Sequence, residues 1–146
     1  MMQTEVSHAG GFVVRKSPAG EREALVIKRD AQQKKYFLPN SRVEEGESEI
    51  SAARREVLEE TDVEDLTLIA DLGVVRRNGV NDQGRRYLKT IRYFLYTSQD
   101  KGTSGWESKG ITDRKFFCSW IPIALAGQEI QFPQEAGLSA TALTFL

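Results

Sequence analysis

Glu56, Glu59 and Glu60 stand three and four positions apart in the stretch "RREVLEETD". On a helix that spacing gathers the three carboxylates within an arc of about 100°. Like charges at i, i+3 and i, i+4 repel, each pair costing about 0.2–0.5 kcal/mol. Crowded carboxylates of this kind form a site for a hard divalent cation. Mg²⁺ takes oxygen ligands, keeps several waters and completes its shell with substrate phosphate oxygens, and its charge turns the repulsion into attraction. Arg55 is placed to orient the neighbouring carboxylates from behind. A plainer account stands beside this one. Arg54 and Arg55 lie in the same segment, Arg55 and Glu59 are spaced i, i+4, and many solvated helices are laced with such pairs.

The element carrying these residues is the clearest helix in the chain, about Ser48 to Thr61. Ser48 suits the N-cap, and Glu49 falls in the first turn, where the helix dipole favours negative charge. Ile50, Ala53, Val57 and Thr61 recur at helical spacing and give one apolar stripe. The carboxylate arc lies beside that stripe, at the edge of the core.

Around the helix the pattern is one of strands. "HAGGFVVRK" (8–16) and "EALVIKR" (23–29) form a strand pair across the turn "SPAGE", and "KYFLP" (35–39) reads as a third strand stopped by Pro39. "LTLIADLGVVRR" (66–77), bent at Gly73, and "RYLKTIRYFLYTS" (86–98) are strands joined through "NGVNDQGR". The polar segment 99–113 reads as a functional loop. "RKFFCSWI" reads as a last strand, "PIALAG" as a helical turn, and "PQEAGLSATALTFL" as a terminal helix weakened by Gly137. The sum is an α/β sheet covered by helices.

Composition narrows the function classes. The chain has 146 residues, enough for one domain with a real core, and 20 basic against 21 acidic residues give a formal net charge of −1. That balance provides no electrostatic footprint for nucleic acid. No apolar run has the length of a membrane span, and the N-terminus shows no signal-peptide pattern. Cys118, the single cysteine, sits in the apolar run "KFFCSW" and reads as a buried small hydrophobe. A reducing cytoplasm is the expected location.

The segment 38–63 resembles the Nudix box: Gly, five residues, Glu, seven residues, Arg-Glu, an aliphatic, any residue, Glu-Glu, any residue, Gly, an aliphatic. Glu47, Arg55-Glu56, Val57, Glu59-Glu60 and Val63 fall at the required positions over residues 41–63, and "LP" (Leu38-Pro39) precedes them. The resemblance implies a single Nudix domain over 1–146, an α/β/α sandwich with a mixed β-sheet. It also implies a metal-dependent pyrophosphohydrolase. The substrate class would be a nucleoside diphosphate linked to another group, such as a diadenosine polyphosphate or a nucleoside triphosphate. By the same carry-over Glu56, Glu59 and Glu60 are the metal ligands, for Mg²⁺ or Mn²⁺, with the Asn40 carbonyl completing the shell. Arg55 joins them in the catalytic set, and one glutamate, or a carboxylate from a later loop, is the base.

Two letters depart from the box, Ser41 and Asp62, each in the place of a glycine. Asp62 follows the helix, at a left-handed position that Asp tolerates better than most residues. Ser41 bears on activity if its glycine serves a positive φ or a close backbone approach.

Outside the box, Asp113 and Glu107 flank the long loop as further carboxylates, each also readable as a solvated loop residue. Arg42 is a candidate for substrate phosphates or an exposed ion pair. Trp106 is a candidate for stacking on a base, unless it folds back onto the core. Tyr93 lies in "LKTIRYFLY", which is similar to a strand of bis(5′-nucleosyl) and diphosphoinositol polyphosphate hydrolases; packing is the competing role for Tyr87, Tyr93 and Tyr96. His8 reads as structural or exposed. The expected partner is a small nucleotide or polyphosphate, with no membrane and no nucleic acid, acting on a monomer or homodimer. The alternative is a Nudix-fold module that binds a nucleotide with weak or no catalysis, for which Ser41 is the support.

Overall fold

In the computed structural model, which describes residues 4–110 and 115–146, the strand β1 (Thr4–Lys16) divides its partners. One edge runs parallel to β5 (Arg86–Thr97), from Thr4↔Tyr87 to Val14↔Thr97. The other edge is shared: β3 (Asn40–Arg42) pairs with His8–Gly10, and β2 (Arg22–Lys28) pairs with Val14–Lys16, both antiparallel. With β4 (Thr67–Val80), β6 (Gly105–Glu107) and β7 (Phe117–Pro122), the order across the sheet is β4-β5-β1-β2-β7-β6, with β3 beside β1. One parallel pairing among antiparallel ones makes the sheet mixed.

Alternation along the strands sends side chains to two cores. Ala9 and Val13 of β1, Leu25 of β2 and Phe94 and Tyr96 of β5 face α1 (Glu49–Thr61), which contributes Ala52, Ala53 and Val57. Phe12, Val14, Val26, Ile91 and Leu95 face the opposite side, covered by α2 (Ile123–Glu129), α3 (Pro133–Ala136) and α4 (Leu138–Leu143). The result is the α/β/α sandwich with a mixed sheet. Among the described residues no helix is long and apolar enough to cross a membrane.

Glycine opens the centre of β1. A Cβ on Gly10 would lie 2.5 Å from the Pro39 carbonyl oxygen and 2.6 Å from the Tyr93 ring, and one on Gly11 would lie 2.6 Å from Val57. The bare backbone lets Gly11 donate its N–H to the Pro39 carbonyl at 3.0 Å. Both α1 and the box entry are thereby drawn against the sheet.

Four expectations are corrected. The segment 35–39 makes only isolated bridges, Ile27↔Phe37 and Tyr36↔Ile130, and the true strand begins after Pro39, which has no N–H to donate. The segment 99–113 contains the short strand β6. The terminal helix is broken at Gly137 into α3 and α4, as poor helix propensity favours. Ile50 is 43% exposed, and Ala52 takes its place among the buried residues of α1. The bend at Gly73 is present as a bulge in the β4–β5 pairing, with φ 91°.

Gly10→Ala should lower the urea midpoint of unfolding, by an overpacking loss of about 1–3 kcal/mol. An unchanged midpoint would mean that the β1–β3 approach is looser than described.

Candidate functional site

Both ends of α1 are fixed. Ser48 accepts the Ser51 N–H on its side chain at 3.1 Å. At the other end Asp62 sits at φ 66° and donates its N–H to the Leu58 carbonyl. Its carboxylate accepts the Lys109 N–H at 2.8 Å, a bond that the usual glycine could not make. The last carbonyls are met from the sheet: the Trp106 indole N–H donates to Thr61 at 2.9 Å, and the Cys118 thiol lies 3.4 Å from the Glu60 carbonyl. The turn that carries Glu60 is therefore held by β6 and β7 as well as by its own helix.

Arg55 organises the carboxylates. Its Nε and Nη2 grip Glu47 at 2.7 and 2.9 Å, while Nη1 reaches Glu56 closely and Glu59 at 3.2 Å. The bidentate grip is the strong form of such a pair. It holds the Glu47 carboxyl down at about 2. Burial raises Glu56 above the ordinary carboxylate range, with Arg55 opposing. Burial, and then the Glu56 charge, push Glu60 up to about 8. Glu60 Oε1 is buried with no hydrogen-bond partner, as is Asn40 Oδ1.

Glu56, Glu59 and Glu60 line one wall of a cavity of about 860 Å³, together with Asn40 and Ser41. Cations line it as well: Arg29, Arg42, Arg77 and Lys89. Burial and the nearby Arg77 lower Lys89 to about 8, and burial and Lys89 lower His8 to about 4, so its imidazole is neutral at physiological pH. Phe37, Tyr87, Phe116 and Phe132 add aromatic surface.

A divalent metal fits this wall in part. Among the described residues no three carboxylate, imidazole or thiolate side chains converge as a ready cage, because Arg55 draws Glu56 and Glu59 to itself. Yet the donors are all hard oxygens, and Glu60 has a buried, unengaged one. That suits a hard cation whose remaining shell comes from water and substrate.

The structure brings Glu56, Glu59, Glu60, Asn40 and Arg42 to one cavity, with Arg55 bonded behind the glutamates. Two substrate-binding candidates are corrected. Trp106 does not line the cavity: its indole N–H is taken by the helix end, and its ring packs 6.4 Å from Trp120. Tyr93 is fully buried, its hydroxyl donating to Glu135 and accepting from Asn40 Nδ2 at 3.3 Å. Glu107 is exposed on β6 and away from the cavity, and Asp113 lies outside the described residues. Ser41 is strand, paired with Ala9, and has no positive φ. Cavity residues that the sequence did not single out include Arg29, Arg77, Lys89, Phe37 and Phe132. A signal existed for two of them: Arg77 pairs directly across from Lys89, and like charges facing each other on a sheet ask for an anion. It needs the register to be seen.

A family model for the NUDIX domain matches residues 7–141, and the chain belongs to that family. No curated protein sequence matches the chain significantly. Among solved structures, the Caenorhabditis elegans Ap4A hydrolase binary complex matches with a TM-score of 0.73 at 21% identity, covering 96% of both chains. The NUDIX domain of Shewanella oneidensis NrtR complexed with ADP ribose matches at 0.72 with 14% identity, over 98% of this chain and 89% of that one. The Escherichia coli dihydroneopterin triphosphate pyrophosphohydrolase matches at 0.67 with 17% identity, over 97% of each. At these identities the likeness is one of fold.

The raised Glu60 carboxyl has a consequence for stability. A carboxyl pushed up in the folded state favours folding below its unfolded value of about 4.5 and loses that contribution as pH rises through about 8. In EDTA, wild type should therefore lose stability relative to Glu60→Gln between about pH 5 and pH 8, by a few kcal/mol, read from denaturant midpoints. Parallel pH profiles would refute the burial of this charge.

Proposed function

We propose that the protein is a divalent-metal-dependent pyrophosphohydrolase of a nucleoside diphosphate linked to another group, with diadenosine polyphosphates and nucleoside triphosphates the leading substrates. The observation that carries this reading is the single cavity in which Glu56, Glu59 and Glu60 share the lining with Arg29, Arg42, Arg77 and Lys89. A pyrophosphate repels a nucleophile by its own charge, so cleavage needs cations around it and a carboxylate near the attacking water. Glu56, Glu59 and Glu60 would hold Mg²⁺ or Mn²⁺, which when bound supplies charge neutralisation and a more acidic water. Arg55 orients Glu56 and Glu59. The cationic lining binds phosphate oxygens, and a carboxylate of the acidic wall takes the proton of the attacking water. Phe37 and Phe132, with ring centroids 5.7 Å apart, offer apolar surface to a base or other leaving group. Ser41 lends little support to binding without cleavage, since its strand conformation needs no glycine.

The test is a panel of diadenosine tetraphosphate, nucleoside triphosphates and ADP-ribose with Mg²⁺. Cleavage should appear for at least one substrate and vanish in EDTA. Glu56→Gln and Glu60→Gln should each lower kcat by about 10²-fold or more. Tight binding with no turnover of any member would overturn the proposal.

A further inference from the structure

Glu135 is the most secluded carboxylate described, at 0% exposure in the four-residue helix α3, and the hydrolysis chemistry above does not use it. Its two oxygens are divided. Oε1 lies 2.5 Å from Arg77 Nε on β4, an ion pair without hydrogen-bond geometry, and Oε2 accepts from the Tyr93 hydroxyl on β5. The Arg77 guanidinium also lies 3.7 Å from the centre of the Phe132 ring. One edge and one face of the guanidinium are thus committed. Among the described residues no hydrogen-bond partner occupies its terminal amino groups, and Arg77 lines the cavity.

A buried ion pair is weak evidence of stabilisation, because desolvation offsets much of the attraction. Orientation is what this arrangement provides. The Phe132 ring against its face and the carboxylate charge beside Nε together hold a fork whose terminal arms match two phosphate oxygens. Arg77 stands across from Lys89, another cation of the same cavity. Without a carboxylate behind it, Arg77 would be pushed off by that like charge. We propose that Glu135 is a positioning residue that aims Arg77 at a phosphate group of the substrate. The inference rests on the cavity being the substrate site, as argued above.

The test uses the full chain and inorganic pyrophosphate in EDTA, with binding followed by titration calorimetry. Wild type should bind, and Arg77→Lys and Glu135→Gln should each bind about tenfold more weakly. If Glu135 acts through Arg77, the double variant should bind no more weakly than Arg77→Lys alone. Thermal unfolding checks that each variant is folded. Should Glu135→Gln not fold, Glu135→Asp, which keeps the charge but withdraws it by one methylene, takes its place with the same expected loss. Failure of wild type to bind, wild-type affinity in both single variants, or losses that multiply in the double variant would overturn the proposal. Because binding is read without metal or turnover, this outcome is separate from the outcome of the substrate panel.

Discussion

Mutual repulsion among the glutamates of α1 is the constraint around which the rest is arranged. Glu56 and Glu60 are nearly buried, where water cannot screen them, and an isolated helix would fray rather than hold them there. Arg55 relieves part of the repulsion by binding Glu47, Glu56 and Glu59 together. The relief is incomplete, since Glu60 keeps an unengaged oxygen. Without a cation the remaining repulsion is relieved by protonation, the Glu60 carboxyl being pushed up to about 8.

Holding that charge in place falls to the sheet. Val57 rests where Gly11 has no side chain, and the box entry at Pro39 and Asn40 closes on Gly10. These contacts give α1 a fixed height over β1, while Asp62, Trp106 and Cys118 hold its far end. The second layer of helices contributes through Phe132 and Glu135, so both faces of the sandwich supply the one cavity.

The acidic wall was legible in the sequence because it is local: Arg55, Glu56, Glu59 and Glu60 lie within two helical turns, and helix periodicity fixes their relative directions. The cationic and aromatic walls were not. Arg29, Arg77, Lys89 and Phe132 come from four separate segments, and only the β4–β5 register and the fold of the C-terminal helices bring them together. Trp106 and Tyr93 were misread for a related reason. Each is amphipathic, and whether its polar tip meets a ligand or the protein depends on partners far along the chain: the Thr61 carbonyl for one, Glu135 for the other.

The clamp on the end of α1 also makes the protein its own optical probe. Its two tryptophans, Trp106 and Trp120, lie beside each other, one bonded to the helix end and the other buried under the Arg15 guanidinium. Tryptophan fluorescence, excited apart from the tyrosines, is therefore a local signal in this protein. It reports the junction between β6, β7 and the turn bearing Glu60, while the cavity's opposite, cationic side holds no tryptophan among the described residues.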